Sequence, residues 1–267
     1  MSSPTPFLPR GGRLAAGRRI AHRPFHVYTQ RDLDRITALR RLPGEQRFAM
    51  KVVASVLPFR VNEYVVEELI DWNQVPADPI FQLTFPQPGM LAPGHFERVA
   101  SLLRRNADQA ALDPVVQEIR AALNPHPAGQ LELNIPRLAS GEAVDGIQHK
   151  YRETVLFFPS QGQTCHAYCS FCFRWAQFVG DKALRIAASE ASQLHAYLRQ
   201  HRQVTDLLIT GGDPMVMKTK HLATYLEPLL RPELDHIRNI RIGTKAISFW
   251  PYRFLTDPDS DALMALL

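Results

Sequence analysis

Apolar residues recur along this chain with two different periods, and the change near residue 150 divides it. Before that point the spacing is mostly helical. Arg31-Asp32-Leu33-Asp34-Arg35-Ile36 opens an amphipathic stretch, and Phe48, Val52, Val53 and Val56 continue it, so residues 31–71 read as helical with an interruption at Pro58. Pro76, Pro79, Pro86, Pro88 and Pro93 then predict extended chain over 76–93. Helices follow over 96–104 and 113–123, the second opened by Asp113 as cap and Pro114 in its first turn.

Beyond residue 151 the texture becomes strand, loop, helix, strand. Residues 154–158 (TVLFF) form a continuous apolar run of the kind buried parallel strands show. A helix is expected over 189–202, with Leu194 and Leu198 on one face, and a second strand over 204–210. A helix over 222–230, a strand over 237–242 and a helix over 259–267 complete the series. This alternation predicts an α/β fold of parallel βα units wound into a barrel or part of one.

Charge changes the picture only at one end. Arg10, Arg13, Arg18, Arg19 and Arg23 account for five of the 31 basic side chains, and the other 26 are matched by 26 acidic ones. The net +5 therefore sits in an arm rich in Arg, Gly, Pro and Ser, read as disordered over 1–30, while the body is neutral and gives no sign of a nucleic-acid face. The arm lacks the apolar segment of a secretory signal, and no apolar run is long enough to span a membrane. With 45% hydrophobic residues the chain can bury a sizeable core.

The candidate chemistry is concentrated. All three cysteines, Cys165, Cys169 and Cys172, fall in a C-x3-C-x2-C run, which excludes a disulfide framework and points to a reducing compartment, hence a cytoplasmic setting. Three thiolates supply one ligand fewer than a four-iron cluster needs, leaving one iron open for chemistry. A structural Cys3His zinc site using His166 is the alternative, although a histidine adjacent to Cys165 closes such a site awkwardly. The second strand ends in Thr210-Gly211-Gly212-Asp213-Pro214. Alone, that segment would merely end a strand. Here both loops leave the C-terminal ends of successive parallel strands, the face where barrels carry active sites.

These motifs resemble the radical S-adenosylmethionine superfamily. Leu57-Pro58-Phe59-Arg60-Val61 with Tyr64, His149-Lys150-Tyr151, Cys172-Phe173-Arg174, the TGGDP loop and Arg241-Ile242-Gly243-Thr244-Lys245 are similar to the lysine 2,3-aminomutase family, from about residue 45 onward. The resemblance implies that Cys165, Cys169 and Cys172 hold a [4Fe-4S] cluster whose fourth iron binds S-adenosyl-L-methionine, cleaved reductively to a 5′-deoxyadenosyl radical. It further implies Phe171 beside the adenine, Gly211 and Gly212 approaching the methionine moiety, Asp213 accepting from its ammonium, and Arg174 gripping the carboxylate of a small amino-acid substrate. Lys150 and Tyr151 would help hold the phosphate of pyridoxal 5′-phosphate, for amino-group migration on lysine or a related amino acid. A lysine stands at 150 where the family usually has arginine, and Thr154 where a second often appears. Implied partners are an electron donor such as flavodoxin or ferredoxin, and neither membrane nor nucleic acid; a homo-oligomer is left open.

The expected organisation is an arm over 1–30, a helical and extended region over 31–148, and the first three or so βα units of a radical S-adenosylmethionine partial barrel over 149–267. A complete eight-unit barrel takes roughly 250 residues. The family's Schiff-base lysine would lie further along than the chain reaches, so the barrel is expected to be incomplete and its third strand an apolar edge prone to aggregation. Lys182, Lys218, Lys220 and Lys245 read as solvated, and Trp72, Trp175 and Trp250 as packing residues. A radical enzyme of the same family with another substrate, or a non-catalytic iron–sulfur or zinc-binding fragment, are the competing readings.

Overall fold

The computed structural model describes residues 20–188 and 190–267. The greater part of the basic arm, with Arg10, Arg13, Arg18 and Arg19, and the expected start of a helix at Ser189 lie outside the described residues. The fold begins before residue 30. Val27–Thr29 is a strand (β1) pairing antiparallel with Arg60–Asn62 (β2), and Arg23 forms ion pairs with Glu63, Glu67 and Glu68.

Between those strands lie two 3₁₀ turns (Gln30–Arg35 and Thr37–Arg41) and the helix Gly44–Val56 (α1). Pro58 ends α1 by forcing Leu57 into extended backbone at ψ 150°. The proline-rich stretch read as extended contains the helix Pro79–Thr84 (α2). Asp78 caps it by accepting from the Phe81 N–H at 2.7 Å, and Pro79 occupies the first turn, where a missing N–H costs nothing. Pro93–Arg104 (α3) follows. Gln109–Ala122 (α4) starts a turn earlier than the sequence implied, because Asp108 and not Asp113 is the cap; Pro114 lies inside the helix. Val52, Val53 and Val56 of α1 pack with Val99, Leu112, Val116 and Ile119 in one core, which Trp175 joins from the side.

After the short helix Gln130–Leu133 (α5) the chain enters a four-stranded sheet in the order β3-β4-β5-β6. Ile147–Tyr151 (β3) is an antiparallel hairpin strand that the sequence reading did not anticipate; Thr154–Phe157 (β4), Asp206–Ile209 (β5) and Asn239–Ile242 (β6) are parallel. The crossovers carry Ala191–Gln200 (α6) and Thr219–Leu226 (α7). Val155, Phe157, Leu207 and Ile209 are fully buried with Leu194, Leu198 and Leu222 of those helices, whereas Leu156 and Leu208 are only half-buried. One face of the sheet is therefore sealed by helices. The parallel strands pair without stagger (Thr154 with Asp206, Asp206 with Asn239), so their C-terminal loops leave at one level. At the edge, β6 exposes Ile240, and Arg241 pairs with Asp206 at 2.7 Å, putting charge where a foreign strand would dock. No helix among the described residues is long and apolar enough to cross a membrane.

Three short helices end the chain: Ala246–Phe249 (α8), Tyr252–Leu255 (α9) and Ser260–Leu266 (α10). They are tied to the sheet by the buried Arg253. Its Nε and Nη2 donate to the carbonyls of Met215 and Met217, both at 3.0 Å, and Nη1 meets Asp259 at 2.7 Å. Asp259 also accepts from the Thr219 N–H and hydroxyl, both at 2.7 Å, at the start of α7. Burial opposes ionisation of Asp259, but the bonds from Thr219 and Arg253 outweigh it and hold the carboxyl at about 2 against its usual 3.8. A carboxyl depressed in the folded state contributes stability above its unfolded value and loses it as pH falls through the folded one. Thermal stability is therefore expected to drop between about pH 4 and pH 2. In Asp259→Asn, melting followed by circular dichroism should begin lower at neutral pH and change less across that window.

Candidate active site

Three loops meet at the C-terminal rim of the parallel strands. The first follows β4 and carries the cysteines, the second follows β5 as Thr210-Gly211-Gly212-Asp213, and the third follows β6 as Gly243-Thr244-Lys245. Together they enclose a cavity of about 360 Å³ bordered by Cys165, Cys169, Cys172, Phe171, Arg174, Gly211, Gly212, Asp213 and Lys245. Two motifs that the sequence placed on one rim by topology alone are thus brought together.

The cysteine loop is held from outside the sheet. Arg60 of β2 donates from Nε to the Cys165 carbonyl at 2.7 Å, and its own carbonyl accepts from the Tyr168 N–H at 2.8 Å. The Ser170 N–H donates to Leu83 of α2 at 2.7 Å, and the Cys172 N–H turns back onto the Cys169 carbonyl at 3.0 Å. The helical N-terminal region is therefore a cradle for the thiols.

The two glycines that border the cavity also let its first two loops come close. Gly211 has φ +132°, a conformation for glycine, and a Cβ there would meet the Gln163 side chain at 2.2 Å. A Cβ on Gly212 would fall 2.1 Å from the Thr164 carbonyl oxygen. Both positions lack a side chain so that the second loop can lie against the first. Asp213 continues that seam: its N–H donates to the Thr164 carbonyl at 2.6 Å. Its buried carboxylate accepts from the Met215 N–H (2.9 Å), the Thr244 hydroxyl (2.7 Å) and the Lys245 N–H (2.8 Å), joining the second loop to the third.

Lys245, exposed as its solvated reading expects, also borders the site. Its Nζ lies 2.6 Å from the Cys169 Sγ and over the rings of Phe171 and Phe249 at 5.5 and 5.6 Å. Its presence in the RIGTK segment was the signal, but nothing in the sequence said which way it turned. Lys182, Lys218 and Lys220 are exposed, as expected. Arg174 is held with its guanidinium over Phe158 at 4.5 Å and near the Thr210 hydroxyl at 3.4 Å, and burial lowers its pKa. Phe171 is 74% exposed, a free aromatic face on the cavity. Trp72 and Trp250 pack in the core against Phe81 and Phe25.

Burial, then the Asp213 carboxylate and the other two thiols, push Cys165 well above the usual thiol value; burial and Cys169 raise Cys172. Such thiols become thiolates when a bound cation offsets their charge, as a metal centre does. Among the described residues no three of His, Cys, Asp and Glu converge on one point as a single tetrahedral ion requires. His166 is buried, held by burial at about 4 and hence neutral, and neither ring nitrogen has a hydrogen-bond partner among the described residues.

Lys150 and Tyr151 are elsewhere. Tyr151 pairs with Thr154 at the start of β4, the end of the sheet opposite the cavity, and both side chains are exposed. The structure does not bring them to the cysteines.

Comparison with known proteins agrees with the motifs. A protein of Aquifex aeolicus named "Putative L-lysine 2,3-aminomutase" is 29% identical over 224 residues, 82% of this chain. The L-lysine 2,3-aminomutase of Bacillus subtilis is 32% identical over 114 residues, 43% of this chain and 23% of the relative. Over most of its length the chain is similar to proteins named as lysine 2,3-aminomutases. A glutamate 2,3-aminomutase of Clostridioides difficile is also related, 24% identical over 226 residues. The chain spans about half the length of the relatives that it matches along most of its own, 47% of the Aquifex protein and 43% of the clostridial one. No family model matches.

The seam between the first two loops has no room for a single methyl group at Gly212. Gly212→Ala forces backbone apart, since the Thr164 carbonyl cannot swing aside as a side-chain tip would. A loss of about 3 kcal/mol in urea unfolding is expected. An unchanged midpoint would mean that the two loops are not in contact.

Proposed function

We propose that this chain is the S-adenosylmethionine-binding part of a radical enzyme of the aminomutase type, its three parallel strands forming the first section of a partial barrel. The observation that carries the reading is the convergence of three thiols and the TGGDP loop on one cavity, in a chain related to proteins named as aminomutases. The donor set fits a [4Fe-4S] cluster: three cysteines, no fourth, and an adjoining space for a ligand on the open iron. When bound, such a cluster supplies the electron that cleaves S-adenosyl-L-methionine to a 5′-deoxyadenosyl radical.

The residues divide the remaining work. Cys165, Cys169 and Cys172 ligate, spaced by the hold of Arg60 and Leu83 on their loop. Phe171 offers its exposed face to the adenine. Arg174, fixed by Phe158, presents a planar fork to the carboxylate of an amino-acid substrate. Asp213 accepts from three internal donors and holds the Thr244–Lys245 loop against the cavity. Lys245 keeps a positive charge beside Cys169, where a reduced cluster gathers negative charge. Lys150 and Tyr151 do not fit a pyridoxal phosphate site shared with the cysteines, and no step is assigned to that cofactor. Lysine or a related amino acid as substrate, a flavodoxin- or ferredoxin-like donor, and a reducing cytoplasmic setting complete the proposal.

The test is anaerobic reconstitution with iron and sulfide, then dithionite reduction in the presence of S-adenosyl-L-methionine. Near-stoichiometric cluster and 5′-deoxyadenosine are expected, with Cys169→Ala losing both. Cluster without product would favour a non-catalytic iron–sulfur fragment, and zinc in place of iron would overturn the proposal.

A further inference from the structure

A second cavity, of about 270 Å³, opens between the end of β1, the start of β2, α4 and the back of the cysteine loop. Three arginines, Arg31, Arg60 and Arg120, line it, and no aspartate or glutamate does. Two of the three are oriented by the fold. Arg60 donates from Nε to the Cys165 carbonyl, and Arg120 donates from Nε to the Val56 carbonyl at 2.7 Å. In both, the two terminal nitrogens have no acceptor among the described residues, and Arg31 has no hydrogen bond or ion pair there. The wall opposite is aromatic: Tyr168 is stacked on Phe178 at 4.4 Å between centroids and 15° between planes.

Clustered arginines are ordinarily offset by carboxylates, because like charges in a shared cleft repel and partial burial strips their hydration. Burial does lower the Arg120 pKa, and the acids that oppose this, Asp181 and Asp113, stand outside the cavity lining. A cleft with forked donors held in place, no carboxylate in its lining and an aromatic side has the chemistry of an anion receptor.

We propose that this cleft binds a small polyanion, bearing phosphate or carboxylate groups, and that its occupancy is transmitted to the cysteine loop through Arg60. The route is short. An anion on the Arg60 terminal nitrogens fixes the guanidinium whose Nε holds the Cys165 carbonyl, and the Arg60 backbone already receives the Tyr168 N–H. The proposal does not depend on the cluster, since every group in it belongs to the protein.

Isothermal titration with pyrophosphate and, separately, citrate at matched ionic strength distinguishes the two kinds of anion. Saturable one-to-one binding is expected for at least one of them. Arg31→Gln, which disturbs no contact of the fold, should weaken it about tenfold, as loss of one charge-assisted donor predicts. Hydrogen exchange over residues 165–169 should slow on binding. Absence of saturable heat with either anion, or equal affinity in Arg31→Gln, overturns the site. Binding that leaves exchange at 165–169 unchanged overturns the link to the cysteine loop.

Discussion

A carboxylate as enclosed as that of Asp213, 3% exposed, has to be compensated by donors that the fold brings to it. Here the donors come from its own loop (Met215) and from the next one (Thr244 and Lys245), while its backbone N–H reaches the cysteine loop at Thr164. One residue thus joins all three loops of the rim. Because charge-assisted bonds in a buried setting are directional and costly to leave unmade, the donors to Asp213 hold the loops in one arrangement. The glycines before it make that arrangement sterically open, and the unstaggered parallel strands deliver the loops at the same height.

The second requirement is that the thiols be spaced by something other than a metal. The N-terminal region does this through Arg60 and Leu83, and it is anchored in turn by Asn62, whose side chain donates to the Phe249 carbonyl at 2.8 Å and accepts from Val65 at 2.9 Å. The region looks peripheral in sequence because its own periodicity describes only a helical core. Its bearing on the site comes from polar contacts to the backbone of the cysteine loop, which leave no mark on the apolar periodicity.

Legibility followed the same division. The parallel strands and α6 and α7 were readable because each buries a regular apolar face, and the cysteine and TGGDP motifs because their residue types are chemically particular. The helix α2 was missed because proline signals extended chain unless it falls in a first turn, as Pro79 does. The start of α4 was misjudged because Asp108 and Asp113 are equally good caps on paper. β3 was hidden because a hairpin edge strand with two exposed residues has no apolar run. Lys245, Lys150 and Tyr151 show one limit: sequence gives the end of the strand that a residue is near, and the direction its side chain takes is settled by packing.

The hold of Arg60 on Cys165 links positions 105 residues apart. The segment that carries the parallel strands is therefore not a portable module. If residues 149–267 were transplanted alone into another scaffold, the three thiols would travel without the groups that set their spacing, and the motif would be intact in the gene but loose in space.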